Sequence, residues 1–266
     1  MDNPVILLLL AWFGMALIMV ALWLVERKIK DASHVDVAWA AGLGLIATFY
    51  SINGTGDLNR RILLAVIVSV WSFRLAGYLL FNRVIGKPED GRYIELRRKW
   101  GKLAARKFFV FFQFQAVIDA AFSIPFLVVA FNRHPGLRIF DYIGASIVGI
   151  AILGESLADR QLARFRSSSK NHGKTCRQGL WQYSRHPNYF FEWVHWFAYP
   201  LLAWGSTYFG FTLLGPILMW YFLFKITGIP PTEERALKTR VDYRDYQRTT
   251  SMFIPWFPKK SKRVTT

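Results

Sequence analysis

The sequence predicts an all-α, polytopic transmembrane bundle of about seven helices, and three observations carry that prediction. Of 266 residues, 53% are hydrophobic and the mean hydropathy is +0.22. The apolar residues come in long runs rather than in amphipathic stripes, which suits a lipid environment and not a soluble core. Aromatic residues reach 17%, with 11 Trp, as expected where many helix ends sit at a membrane interface. The net charge of +17 is concentrated between the apolar runs. It reads as basic loops, and nucleic acid is not expected as a partner.

The elements follow in order. A first span is expected over 4–25, which carries no charge. The sequence before it, MDNP, lacks the positive region of a signal peptide, so this helix is expected to be retained. A second span over 35–52 has Asp36 near its start and ends at a turn with Asn53, Gly54 and Gly56. A third over 61–81 holds Arg74, and a long basic loop, 82–107, follows. The fourth, 108–131, contains Gln113, Gln115, Asp119 and Pro125. The fifth, 139–158, ends near Glu155 and leads to a second basic loop, 159–188. The sixth and seventh, 189–204 and 208–227, form a hairpin around a tight 205–207 link. A polar tail from Gly228 includes Glu233, Glu234 and the run FIPWFP, which is expected along the membrane surface. The whole chain reads as one integral membrane domain with the tail packed on its cytoplasmic face.

Charge sets the orientation. Loops 26–34, 82–107, 159–188 and 228–266 sum to +18, against +2 for the segments on the other side. The basic side is therefore expected to be cytoplasmic, with the N-terminus outside and the C-terminus inside. The single cysteine, Cys176, leaves no intramolecular disulfide, and no His or Cys spacing suggests a metal.

Ionisable groups inside a bilayer mark function by default. Asp36, Arg74, Glu155 and Glu192 all fall near cytoplasmic ends and are expected to converge on a cavity that opens inward, while Asp119 sits deeper, with no assigned role. The stretch 179–193, GLWQYSRHPNYFFEW, is the centre of this reading. Pro187 breaks helical geometry at His186, and Asn188 is expected to cap the helix that follows. Tyr183, Arg185, His186, Asn188 and Glu192 would then surround a helix start, a ready anion or phosphate site. The alternative is an interfacial cap whose Arg and aromatics anchor the helix.

This run resembles the C-terminal signature of the steroid 5-alpha-reductase-like membrane proteins. The match is best to their bacterial branch, of the domain-of-unknown-function 1295 type, related to sterol C14 reductases and isoprenylcysteine carboxyl methyltransferases. The same likeness extends to SHVDVAWAAG (33–42), WSFRLAGYLLFNR (71–83), GRY (91–93), LADRQLARFR (157–166) and the tail 233–258. The resemblance implies a helical bundle that binds NADPH on its cytoplasmic side, with Arg74, Asn82, Arg83, Asp159, Asn188 and Glu192 at the cofactor. A tyrosine–carboxylate pair polarises the substrate carbonyl in the steroid enzymes. Here Trp71 stands at the tyrosine position, and Asp36 with Tyr78 is the expected catalytic substitute.

The expected function is a membrane-embedded NADPH-dependent reductase of a conjugated C=C bond in a lipophilic substrate. Its partners are that substrate and membrane lipids, and its place a bacterial inner membrane. Two alternatives are an S-adenosylmethionine-dependent methyltransferase of the isoprenylcysteine type, which shares the RHP block and the Glu–Glu tail, and a non-enzymatic lipid-binding protein.

Overall fold

The structure, a computed structural model, describes residues 3–259. Residues 1–2 lie outside the described residues, as do residues 260–266, whose Lys260, Lys262 and Arg263 the sequence counts with the basic tail. Among the described residues there are α-helices, short 3₁₀ and π-helical turns, and no strand. Six helical stretches among the described residues are long and apolar enough to cross a membrane. The chain divides into two compact units, one formed by residues 1–142 and 199–215, the other by 143–198 and 216–266.

The first unit is built on α1 (Pro4–Ile29), α2 (His34–Asn53), α3 (Leu58–Leu79), α4 (Gly91–Trp100) and α5 (Ala104–Ala130). Asn3 opens α1 by accepting from the Val5 and Ile6 amides at 2.9 and 3.4 Å, with Pro4 at the first helical position. Lys30, at φ 58°, closes it in a left-handed cap. Helices α2 and α3 pack closely because Gly44 has no Cβ: one there would lie 2.5 Å from Ser72 Oγ. The Ser72 hydroxyl fills that space, accepting from Gly44 N at 3.0 Å and donating to the Ala40 carbonyl. Helix α1 runs antiparallel to α5, with Trp23 Nε1 donating to Ala105 O and Gln113 to Ala16 O. Helix α2 runs parallel to α5, from the His34–Phe112 ring contact to the Tyr50–Ser123 hydrogen bond.

The loop 132–138 of this unit is held by a buried cation. Arg60 is 0% exposed and makes a bidentate pair with Asp141 at 2.8 and 2.9 Å. It also donates to the carbonyls of His134 and Gly136, while Asp57 accepts from the Gly136 amide. The backbone hydrogen bonds to Asp57 hold its carboxyl below the usual range.

The second unit contains most of α6 (Ile139–Arg166), then α7 (Pro187–His195), α10 (Ile229–Thr239) and α11 (Tyr243–Thr249); α8 (Ala198–Leu202) and α9 (Leu214–Tyr221) carry the chain across the unit boundaries. Several boundaries differ from the sequence expectation, and three of the differences bear on the nominated residues. Helix α6 continues eight residues past 158, so Asp159 lies on a helix and not in a loop. The 82–107 loop contains α4. The expected continuous helix 189–204 is instead α7 and α8, separated at Trp196 and Phe197. Pro200 explains the break: it has no N–H for the Trp196 carbonyl and its ring crowds it. The chain tightens there, with Trp196 N donating to Trp193 O and Phe197 N to Val194 O. The His195 ring meets the Glu192 carbonyl at 2.6 Å through Nδ1.

Candidate functional site

The residues singled out by sequence fall in two sets, one in each unit. In the first unit, Asp36 occupies the first turn of α2 and its side chain is 25% exposed. It accepts from the Tyr93 hydroxyl and from Arg92 Nη2, both at 2.7 Å. The phenol on Asp36 thus comes from the GRY turn that opens α4, where Asp90 caps the helix by accepting from Arg92 N. Burial pushes the Asp90 carboxyl up, but the hydrogen bonds and charge of Arg92 outweigh it and hold the group below its usual range. Tyr78, expected beside Asp36, packs with Trp39 against Ala76 and Leu79 on the α2–α3 seam. Arg74 is half-buried on α3. Asn82 and Arg83 ride on a π-helical extension of α3, Leu80–Val84, where Asn82 donates to the Tyr78 carbonyl at 2.9 Å. Such bulges aim side chains that a regular turn would point elsewhere.

Two of the nine cations in 82–107, Arg92 and Arg97, are paired with carboxylates. Arg97 donates to Glu26, itself 1% exposed, at 2.6 Å and to Glu89 at 2.7 Å. With Arg92 on Asp36 and Asp90, two of the loop's cations seal the end of the first unit.

In the second unit the 183–186 turn is clasped by the C-terminal segment. Arg185 N donates to Ser251 O, Ser184 Oγ to Phe253 O, and Trp256 N to Tyr183 O. The Tyr246 hydroxyl donates to the carbonyls of Trp181 and Ser184. Phe253, 6% exposed, packs between Phe190, Trp193 and Phe224. The FIPWFP run is therefore anchored in the unit by Phe253, although Ile254, Trp256 and Phe257 remain exposed.

Glu233 on α10 is the hub of this set. It accepts from Arg185 Nε at 2.7 Å, Gln247 Nε2 at 2.8 Å and the Tyr243 hydroxyl at 3.2 Å, and it faces His186 Nε2 at 3.2 Å. His186 stacks flat on Tyr189, with ring centroids 5.4 Å apart. Burial lowers the His186 pKa below 6.5, only partly opposed by the Glu233 carboxylate. A neutral ring meets the carboxylate by donating from Nε2. Burial likewise raises the phenols of Tyr243 and Tyr246.

Asn188 does not cap α7. His186 occupies the cap position, Pro187 opens the first turn, and the Asn188 amide donates to Asp159 on α6 at 3.2 Å. Glu192, one turn further, lies 4.0 Å from His195. The same unit has a cavity of about 220 Å³ whose wall includes Arg166, His172, Lys174 and Arg240, with Leu162 and Cys176. No carboxylate lines it.

Tyr93, Arg92, Glu233, Tyr243 and Gln247 were absent from the residues nominated by sequence. The GRY and EER blocks were visible as pieces of the resemblance, but no local spacing ties either to the residue it meets. Among the described residues no group of three or more His, Cys, Asp or Glu side chains forms a metal site.

A family model described as "Protein of unknown function (DUF1295)" matches residues 22–250. An uncharacterized protein of Schizosaccharomyces pombe is 24% identical, over 96% of this chain and 80% of its own. No solved structure matches.

Proposed function

The chain belongs to the DUF1295 family, and from that premise we propose a membrane-embedded, NADPH-dependent reductase of a conjugated C=C bond in a lipophilic, steroid- or isoprenoid-like substrate. The observation that carries this reading is the polar set at the start of α7, where Asn188 and Asp159 are hydrogen-bonded and Glu192 lies one turn on. An amide and two carboxylates are the groups that bind ribose hydroxyls and a carboxamide. Arg166, Lys174 and Arg240, around a cavity in the same unit, suit the phosphates of such a cofactor. Arg185 and His186, tied to Glu233, support the turn that presents Asn188.

The cofactor supplies a hydride; the chain must orient the acceptor and manage a proton. In the first unit Asp36, Tyr93 and Arg92 form a compact phenol–carboxylate–guanidinium group. The phenol would give its proton to the substrate carbon left negative by hydride addition, the Arg92 guanidinium would stabilise the phenolate that remains, and a proton from solvent would restore the phenol on Asp36. The basic faces are placed in the cytoplasm of a bacterial cell, with the N-terminus outside.

A second reading, an S-adenosylmethionine-dependent methyltransferase, is favoured by one observation: Arg185, His186 and Glu233, from the blocks shared with that class, form one network. Label transfer decides between them. The solubilised protein is given NADPH deuterated at the transferable C4 position and a panel of lipophilic conjugated enones. Deuterium in the saturated product supports the reductase. Methyl transfer from S-adenosylmethionine to a lipophilic acceptor, with no deuterium transferred, overturns it.

A further inference from the structure

We propose that Asp119 and Trp39 form a notch at mid-span of the first unit that recognises the hydroxyl group of a lipophilic alcohol. Asp119 lies near the middle of α5 and is 0% exposed. Among the described residues neither of its carboxyl oxygens has a hydrogen-bond partner. Several other polar groups of this bundle are paired. Tyr50 pairs with Ser123, Ser72 with Ala40 O, and Gln113 with Ala16 O. An unmatched carboxyl in a hydrocarbon layer is costly, and such a residue marks a functional site by default.

A second orphan lies on the same seam. Trp39 Nε1, on α2, is buried and has no hydrogen-bond partner, whereas Trp23, Trp181 and Trp193 each donate to a backbone carbonyl. The Trp39 ring packs edge-on against Phe122, one turn after Asp119 on α5. Gly42, one turn after Trp39, brings α2 against Asp119: a Cβ there would lie 3.3 Å from Asp119 Oδ2 and 2.4 Å from Met15 Cε. So the unpartnered indole and the unpartnered carboxyl lie on one α2–α5 seam, the indole ring against Phe122 and the carboxyl beside Gly42. One hydroxyl satisfies both, since its O–H donates to the carboxyl and its oxygen accepts from the indole N–H, at about 2.8 Å each. Met15, 2% exposed, covers the carboxyl. Its unbranched thioether side chain can change rotamer to admit a ligand. The alcohol bound here is the polar end of the lipophilic substrate, an assignment that rests on the reading above.

The test uses the full chain in phosphatidylcholine nanodiscs, with tritiated geranylgeraniol as probe. Unlabelled geranylgeraniol and its methyl ether, which can accept but not donate, compete with it. In the wild type the alcohol should compete at a concentration about tenfold or more below that of the ether. Asp119→Leu should abolish that preference, and Trp39→Phe should weaken alcohol and ether alike. Asp119→Asn, nearly the same shape, replaces the Leu variant if that one does not fold, and should reduce the preference. Absence of saturable alcohol binding in the wild type, or a full alcohol preference in folded Asp119→Leu or Asp119→Asn, overturns the proposal. NADPH titration of the same preparation separates the two readings. Alcohol preference without nucleotide binding removes the reductase and keeps the notch, and nucleotide binding without alcohol preference does the reverse.

Discussion

At the scale of residues, Glu233 decides the state of its neighbours. Its carboxylate meets a guanidinium, an amide, a phenol and a buried imidazole, and both it and Arg185 are largely sheltered. Glu233→Gln keeps the shape but leaves the Arg185 charge without its counter-ion. That should cost about 3 kcal/mol, read as a lower thermal unfolding temperature in detergent. A change within error would mean that the network does not hold the 183–186 turn. His186 adds a pH dependence. Its pKa is lowered by burial, so the unfolded chain binds a proton first as pH falls. Stability from this group is full above about 6.5 and declines as pH drops from there towards the folded pKa. His186→Gln should flatten that part of the stability–pH curve; an unchanged curve would contradict the assignment. The RHPNY block was legible as the centre of this set, because Pro187 and the clustered polar residues stand out in an apolar context. Its hub was not, since Glu233 comes 47 residues after His186 and a glutamate in a polar tail looks solvated. The Tyr93 phenol on Asp36 was not legible for a related reason. Tyr78 lies on a neighbouring apolar run, whereas Tyr93 belongs to a stretch read as a loop.

At the scale of elements, one proline separates α7 from α8. The hydropathy of 189–204 alone gives a single helix, and Pro200 in its second half breaks it. Pro125 sits within α5 without ending it, so a proline's presence in a span does not by itself decide the outcome. Pro200→Ala restores an N–H for the Trp196 carbonyl. Amide exchange over 196–200 should then slow by about tenfold or more, the protection of a hydrogen bond worth roughly 1.4 kcal/mol. Unaltered exchange would place the cause of the break elsewhere. Helix α4 was the other element hidden in sequence. Its dense basic residues resemble a solvated loop, but Arg92 and Arg97 match carboxylates that lie far back in the chain, on Asp36 and Glu26. Arg97→Ala strands Glu26 at 1% exposure and should cost about 3 kcal/mol of stability. A loss below about 0.5 kcal/mol, typical of an exposed surface pair, would show that α4 does not seal this end.

For the whole molecule, the helical, multi-pass architecture was readable because lipid demands long apolar helices, and their hydropathy is a strong, local signal. Six described stretches meet that demand, while the broken 189–204 stretch escapes any criterion based on helix length. Orientation rests on the loop charges of +18 against +2. A reporter joined after Thr266 should be active only when it works in the cytoplasm, and activity of a periplasmic reporter there would reverse the assignment. Contacts between residues distant in sequence were not readable, since hydropathy assigns a residue to lipid or water and not to a partner. The central claim is that the α7 start and the cations of its unit hold a dinucleotide. Equilibrium titration of the solubilised protein with NADPH, NADH and S-adenosylmethionine tests it most directly, with Asn188→Ala and Glu192→Gln measured beside the wild type in the same detergent. The account predicts saturable NADPH binding about tenfold or more tighter than NADH, from one charge-assisted phosphate contact, and weaker NADPH binding in both variants at unchanged unfolding temperature. Saturable binding of S-adenosylmethionine with none of NADPH, or variants that lose stability but keep their NADPH affinity, would contradict it.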